Sequence, residues 1–382
     1  MMHAPDPVLP VEQELIPSID RVEFVTVRLP FVHPFGTSVQ TWTQKEALLL
    51  RLTSGDTVAW GECVADPDPF YLPETTRTAG HIIRDFLLPL VEPGISMREL
   101  GRRFTHVRGH GMAKATVENA LLILISLQKK IPLHLLLGSP AKPIMSGISI
   151  GLRDTIEELL GTVRYAVGRK YHRVKIKIAK GKDVEWVRRV REEFPDIQLM
   201  VDANGDYTLD DKALLQQLDA FHLMMIEQPL SYSDIYQHAT LQKDLKTALC
   251  LDESILGLDD AATAVALGAC RILNIKQGRV GGLIPSMKMA RFAADHGIGV
   301  WSGGMDETGI GRALNIHLQT TPGFTLPGDT SETSNYFAED IIDRPVFLDA
   351  NGYIAVPEGP GLGVSVLHDR LMQYVLGWER LR

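Results

Sequence analysis

Short apolar runs recur along the second half of the chain, and each is followed by a stretch with helical spacing of apolar positions. From Ile144 onward the runs are four to seven residues long. The amphipathic stretches between them cover 155–169, 182–194, 208–218, 232–245, 258–268, 282–296 and 307–319. Apolar residues recurring at i, i+3 and i+4 predict helices, and strand–helix alternation at this spacing predicts parallel β/α architecture. The runs are almost continuously hydrophobic, as expected of a sheet buried on both faces. Runs near 145, 174, 199, 224, 249, 273, 299 and 324 give about eight strands, which favours a closed barrel over an open doubly wound sheet.

The first part of the chain has a different pattern. Alternating runs predict strands at 21–29, 46–52 and 57–63, the last two joined by the turn Ser54-Gly55-Asp56. Two polar loops, 34–42 and 66–73, interrupt it. A helix is expected from near Glu74, and Ala113, Ala115, Val117, Ala120 and Leu121 mark the apolar face of another over 113–129. Residues 1–19 read as a polar leader with four prolines. From Tyr336 the repeat is lost. Three parts are therefore expected: an α+β unit over 1–140, a barrel over 141–335, and a segment 336–382 that packs back on the first unit.

The ends of the barrel runs carry charge at a fixed period. Asp202 closes 197–201, Glu227 closes 223–226, Asp252 closes 248–251 and Lys276 closes 271–275, at steps of 25, 25 and 24 residues. In the run Val174-Lys175-Ile176-Lys177-Ile178 the two lysines share one face of a strand. In a barrel, side chains at strand C-termini converge on one mouth. Three carboxylates gathered there repel one another unless a cation lies between them, and hard oxygen donors suit Mg²⁺ or Mn²⁺ better than zinc. The plainer reading makes the acids helix N-caps and the lysines a solvated face. It leaves the lysines on either side of the acids unexplained. A lysine beside a divalent cation and a second lysine has its ammonium form disfavoured and can serve as a base. Together these groups fit removal of a proton α to a carboxylate to give an enediolate.

Composition narrows the setting. The 382 residues are 45% hydrophobic and 23% charged, with a formal net charge of −8, which argues against a nucleic-acid partner. No run of 18 apolar residues and no signal-peptide pattern is present, so no membrane association is expected. Cys63, Cys250 and Cys270 lie mostly inside apolar runs and are expected to be reduced, in a cytoplasmic protein without a disulfide framework. A small-molecule carboxylate is the expected substrate. His106 and His110 stand four apart, but flanking glycines suit a loop or cap better than a zinc site. Gly281-Gly282 and Gly303-Gly304 lack the Lys-Ser/Thr of a phosphate loop and read as close turns at the mouth. Met224-Met225 reads as strand core.

From about Arg21 to Asp340 the chain resembles the enolase superfamily. The Lys-x-Lys on the second barrel strand and the single lysine on the sixth are similar to the muconate-lactonizing-enzyme subgroup. The mandelate-racemase subgroup would carry Asp on strand six and His on strand seven, whereas strand seven here ends Val300-Trp301-Ser302-Gly303-Gly304-Met305. Dipeptide epimerases carry Asp-x-Asp after strand eight, where this chain has Asp329 alone. Within the subgroup, the segments Gly147–Gly151, Val201–Asn204, Ile226–Pro229, Asp252–Ser254, Lys276–Gly282, Gly303–Met305, Glu307–Arg312 and Pro327–Asp329 resemble the o-succinylbenzoate synthases and N-succinylamino acid racemases.

That resemblance implies a modified TIM barrel of (β/α)7β type, with an N-terminal α+β capping domain completed by the C-terminal segment. It implies Asp202, Glu227 and Asp252 as Mg²⁺ ligands and Lys177 as the base that takes the α-proton. Lys276 would be the group on the opposite face, and Lys175 an electrostatic support. Ser149, Asn204, Gly304 and Met305 would contact substrate or shape the pocket. Glu253 and Arg279 would stand behind the ligands, although Arg279 also reads as an ordinary surface or helix-start arginine. Dehydration to o-succinylbenzoate, with or without racemisation of N-succinylamino acids, is the implied chemistry. A barrel that only binds a metal or acid is the non-catalytic alternative, expected if Lys177 or a carboxylate were missing. Three departures stand out: the loop Phe35-Gly36-Thr37-Ser38-Val39-Gln40, Asp306 at a position usually apolar, and Leu124-Ile125-Ser126 in place of a Trp-Asp-containing helix.

Overall fold

A computed structural model describes residues 8–382. After a 3₁₀ turn at Pro10–Gln13, the chain forms β1 (Arg21–Gly36), β2 (Thr41–Ser54) and β3 (Thr57–Cys63), an antiparallel meander whose tight turn places Gly55 at φ 56°. Then follow α1 (Thr76–Ile82), α2 (Met97–Phe104), α3 (Gly111–Gln128) and α4 (Leu133–Leu136). The residues before β1 are less polar in role than their composition suggests. Val11 and Ile16 are buried, and buried Glu12 takes a 2.7 Å ion pair from Lys288.

α3 is apolar nearly all round and buried along most of its length, Leu124, Ile125 and Ser126 included. It lies against β3 so closely that a Cβ on Gly61 would meet the Thr116 carbonyl oxygen at 2.3 Å. Truncating fully buried Leu121 to Ala at such a site costs about 2–5 kcal/mol.

A short β4 (Ile144–Met145) leads into the barrel. Its strands are β5 (Gly147–Ile150), β6 (Arg173–Lys177), β7 (Leu199–Asp202), β8 (Ile226–Glu227), β9 (Leu249–Leu251), β10 (Ile272–Ile275) and β11 (Gly299–Ser302), parallel and hydrogen-bonded in sequence order. The helices between and after them are α5 (Ile156–Gly168), α6 (Val184–Glu193), α7 (Lys212–Leu215), α8 (Tyr236–Asp244), α9 (Leu258–Leu267), α10 (Leu283–Asp295) and α11 (Gly309–Gln319). The helix expected over 208–218 is split into two 3₁₀ turns around α7. The second turn carries Asp219 to the backbone N–H groups of Lys246 and Thr247, at 3.0 and 2.8 Å.

The barrel has seven strands, not eight. The eighth place, near 324, is taken by an irregular stretch in which Pro327 has no N–H to give a ladder. It still closes the circle. Leu326 N–H reaches the Val300 carbonyl (3.2 Å) and Asp329 N–H that of Ser302 (2.9 Å). On the other side Gly328 N–H reaches Met145 (3.3 Å), and Gly147 N–H donates to Gly328 (2.7 Å).

Val174 and Ile176 on β6 face the helices, while the barrel interior holds Met200, Met225, Cys250, Ile272 and Trp301. The chain ends with β12 (Tyr353–Ile354), which pairs with β4, then α12 (His368–Tyr374) and β13 (Val375–Arg380). β13 runs antiparallel to β1, so the last strand joins the N-terminal sheet. The three cysteines are buried and unbridged. No helix among the described residues is long and apolar enough to cross a membrane.

Candidate active site

The strand register gathers the charged residues. Lys177 pairs with Asp202, Asp202 with Glu227, and Glu227 with Cys250, two residues before Asp252. Lys175, Lys177 and Lys276 are 3–8% exposed, Asp202, Glu227 and Asp252 at most 1%. The solvated-lysine reading therefore fails. Lys177 Nζ donates to Asp202 Oδ2 and to Asn204 Oδ1, both at 2.6 Å. Lys175 Nζ lies 2.7 Å from Asp329 Oδ2, 3.1 Å from Glu227 Oε2 and 3.3 Å from Asp202 Oδ2. Lys276 Nζ donates to Asp252 Oδ2 and to the Tyr71 hydroxyl, both at 2.8 Å. The two outer lysines thus stand at opposite ends of the carboxylate row.

The acids are not simple helix caps. Asp202 Oδ1 does accept from the Asn204 N–H at 3.1 Å, but its other oxygen is taken by lysine. Glu227 Oε1 accepts from Asn274 Nδ2 at 2.6 Å. A Cβ on Gly303 would meet Asn274 Oδ1 at 2.2 Å, so the glycine permits this approach. Arg279 is 2% exposed and pairs with Asp252 Oδ1, also reaching the Ile255 and Asn274 carbonyls. It is no surface arginine. Glu253 Oε1 accepts from Asn204 Nδ2 at 2.8 Å, and its buried Oε2 has no partner.

Burial works against every charge here, and neighbours decide the outcome. The Lys177 and Lys175 ammoniums outweigh burial at Asp202 and hold its pKa below the usual range. At Glu227 burial and the Asp202 charge win, and its pKa stands well above the usual value. Burial also raises Glu253, beside Asp252. Asp252 is held low despite burial by Arg279 and Lys276. Burial would neutralise Lys175, but Asp329, Glu227 and Asp202 overcome it and raise its pKa. Asp252 does the same for Lys276.

Several participants were not singled out from sequence. Asp329, in the closing stretch, pairs with Lys175 and with buried Arg173, whose guanidinium lies over the Trp301 ring at 4.5 Å. Tyr71, from the 66–73 loop, also donates to Asp252 at 3.2 Å. Gln228 Oε1 accepts from the Asp252 N–H at 2.9 Å. Asp329 left a trace as the end of a Pro-Gly-Asp segment, and Gln228 as part of Ile226–Pro229. His110 precedes α3 at φ 55° and stands 3.9 Å from Glu74.

A cleft of about 560 Å³ opens above these groups. Ser149, Lys175, Lys177, Asn204, Lys276, Gly304, Met305 and Asp329 line it from the barrel, and Phe35, Trp42, Tyr71 and Tyr336 form the opposite wall. Ser149, Asn204, Gly304 and Met305 thus share one cavity with the lysines. Ser38, in the 37–40 loop, donates to the Ala203 carbonyl at 2.9 Å and ties that loop to the strand end at Asp202.

Among the described residues, no three His, Cys, Asp or Glu side chains converge closely enough to form a metal cage on their own. The donor set nonetheless fits a hard divalent cation. Burial and the Asp202 and Asp252 charges raise the pKa of Glu227 between them, and Glu253 adds an unpartnered buried oxygen nearby.

A barrel whose mouth holds opposed lysines around buried acids, closed by a second unit, defines a class of enzymes acting on small acids. The family profile described as "Enolase C-terminal domain-like" matches residues 158–370. The chain is 45% identical over 359 residues to an o-succinylbenzoate synthase of Geobacillus kaustophilus, covering 92% of this chain and 96% of that one. It is 42% identical over 353 residues to an N-succinylamino acid racemase of Amycolatopsis sp, covering 92% and 95%. A crystal structure of an enolase-superfamily member from Listeria innocua superposes with a TM-score of 0.92 at 38% identity, covering 97% of this chain and all of that one. The chain belongs to the enolase superfamily, in the family of o-succinylbenzoate synthases and N-succinylamino acid racemases.

Proposed function

We propose that this chain is a Mg²⁺-dependent o-succinylbenzoate synthase that also racemises N-succinylamino acids. In the first reaction 2-succinyl-6-hydroxy-2,4-cyclohexadiene-1-carboxylate loses water. The observation that carries the reading is the pair Lys177 and Lys276, set at opposite ends of one buried carboxylate row beneath an aromatic-walled cleft.

Asp202, Glu227 and Asp252 would hold the cation, with Mn²⁺ able to replace Mg²⁺. When bound, it supplies positive charge against the negative charge that builds on the substrate carboxyl group.

Lys177, in its amine form, takes the α-proton, and the C–H electron pair moves into the carboxyl group as an enediolate. The same Nζ returns that proton to the departing hydroxide, so the ring loses one water. Lys276 places a positive charge over the opposite face. In racemisation it delivers a proton there, inverting the carbon. Lys175 holds the Asp202 and Glu227 charges in place from beneath. Burial of all three lysines excludes bulk water from the exchange.

The racemase activity is included on a specific observation, the Lys276–Tyr71–Asp252 bonding that fixes a second proton carrier on the far face. We assign the enzyme to the cytoplasm, as a homo-oligomer supplying o-succinylbenzoate for menaquinone biosynthesis.

The test assays both substrates with Mg²⁺ for the wild type and Lys177→Ala. The variant is expected to lose dehydration and α-proton exchange while keeping its circular dichroism and its Mg²⁺-dependent rise in melting temperature. Retained turnover in Lys177→Ala would refute the assignment of the base.

A further inference from the structure

The cleft wall at Asp306 is acidic, and the proposed reaction does not use it. Asp306 lines both the main cleft and a small recess that shares Gly304, Asp329 and Tyr336 with it. It follows β11 with φ 54°, a left-handed conformation that Asp tolerates better than most residues. Among the described residues no hydrogen bond or ion pair reaches its carboxylate. The charged groups that act on it most are Lys45, Glu307, Asp66 and Arg312.

The cations near it are already engaged. Buried Lys45 donates to the Val64 carbonyl at 3.0 Å and to Asp66 Oδ1 at 3.3 Å. Arg312 donates to the Glu307 and Ser331 carbonyls and stacks over Tyr336 at 4.3 Å. Asp306, Asp66 and Glu307 therefore outnumber two committed cations. Burial pushes the Asp306 carboxyl up to about 6, against the Lys45 charge, and leaves it ionised at neutral pH. A separate observation points the same way. Asn315 is 2% exposed, lines the recess beside Asp306, and its Oδ1 is an acceptor with no donor. Such a wall repels a carboxylate and lacks a donor.

We propose that Asp306 makes this wall of the cleft a subsite for a cationic, N–H-donating substrate arm, so that among N-succinylamino acids the chain favours ammonium or guanidinium side chains over neutral ones of equal length. The proposal rests on the racemase half of the function given above. The substrate's own carboxylates lie against the lysines, and the side chain reaches the acidic wall.

The experiment measures α-proton exchange in heavy water by NMR for N-succinyl-lysine and N-succinyl-2-aminoheptanoate, whose side chains match in length and differ in charge. Dehydration of the cyclohexadiene substrate is assayed alongside. The wild type is expected to favour the lysine derivative in kcat/KM by roughly tenfold or more, as a charge-assisted hydrogen bond supplies. Asp306→Asn keeps the shape and tolerates the backbone angle. It should cut that preference to within about threefold while leaving the neutral substrate within about twofold of wild type, since only the ion pair is lost. Equal rates for both substrates in the wild type, or an undiminished preference in Asp306→Asn, overturn the proposal and leave the racemase intact. Active dehydration with both N-succinyl substrates inert overturns it and leaves the synthase. Loss of every activity in the wild type overturns the parent reading as well.

Discussion

Replacing Asp329 by Asn tests whether the floor of the site is held by charge or merely by shape. Its carboxylate sits between Arg173, which is fully buried, and Lys175 Nζ at 2.7 Å. Burial alone would raise its pKa, but the two cations hold it at about 2. The unfolded value is about 3.9, and the difference corresponds to roughly 2.6 kcal/mol at pH 7. The folded value is the lower one, so this contribution is complete above about pH 4 and is lost as the pH falls through about 2. Roughly half remains at pH 3. Asn resembles the protonated acid in shape and leaves Arg173 and Lys175 with uncompensated charge, which raises the expected cost to about 3–5 kcal/mol. Urea unfolding followed by tryptophan fluorescence and circular dichroism should show a lower midpoint at unchanged slope. The gap between wild type and variant should be constant from pH 7 to 5 and narrow toward pH 3. A loss under about 1 kcal/mol at pH 7, or a gap indifferent to pH, would show that packing and not charge holds the floor.

Tyr71→Phe keeps a ring beneath Lys276 but removes the hydroxyl that bonds both Lys276 and Asp252. Turnover should fall roughly tenfold to a hundredfold with the fold intact, as steady-state kinetics would register. Gly147→Ala would set a Cβ 2.4 Å from Arg173 Nη2. It should cost about 1–3 kcal/mol and combine non-additively with Asp329→Asn, since both act through one guanidinium; a double-mutant cycle measures this. Glu118 accepts the Ile284 N–H at 2.9 Å, and burial raises its carboxyl to about 8. The folded value exceeds the unfolded one of about 4.3, so stability from this group is lost as pH climbs from about 4.3 to about 8. Glu118→Gln keeps an acceptor for Ile284. Its melting temperature should exceed that of wild type increasingly over this range, as thermal scans at several pH values would show.

The parts of the site legible in the sequence are those whose placement is local. Lys175 and Lys177 share a face because strand side chains alternate, whatever surrounds the strand. Asp202, Glu227 and Asp252 end consecutive strands, and the β/α repeat alone carries them to one mouth. Tyr71 is different. It lies 205 residues from Lys276 in sequence, on a loop without regular structure, and meets it only because the meander and α3 fix where that loop falls. Asp329 was visible only as part of a Pro-Gly-Asp segment. The run near 324 reads as a strand, yet the stretch around Pro327 is irregular and closes the barrel through backbone bonds to β11 and to the β4–β5 segment.

The same division separates the two halves of the chemistry. Proton removal depends on lysines and acids fixed by one repeating β/α unit, so it can be read from strand ends. The choice of substrate depends on where that repeat meets the loops of another unit. There Phe35, Trp42 and Tyr71 face Met305 and Asp306 across the cleft, and Ser38 ties one of those loops to the strand end at Asp202. A substitution in those loops can alter specificity without moving a catalytic atom. Asp306, one side chain beyond Met305, lies on that boundary: it lines the cleft, and among the described residues no hydrogen bond or ion pair reaches its carboxylate.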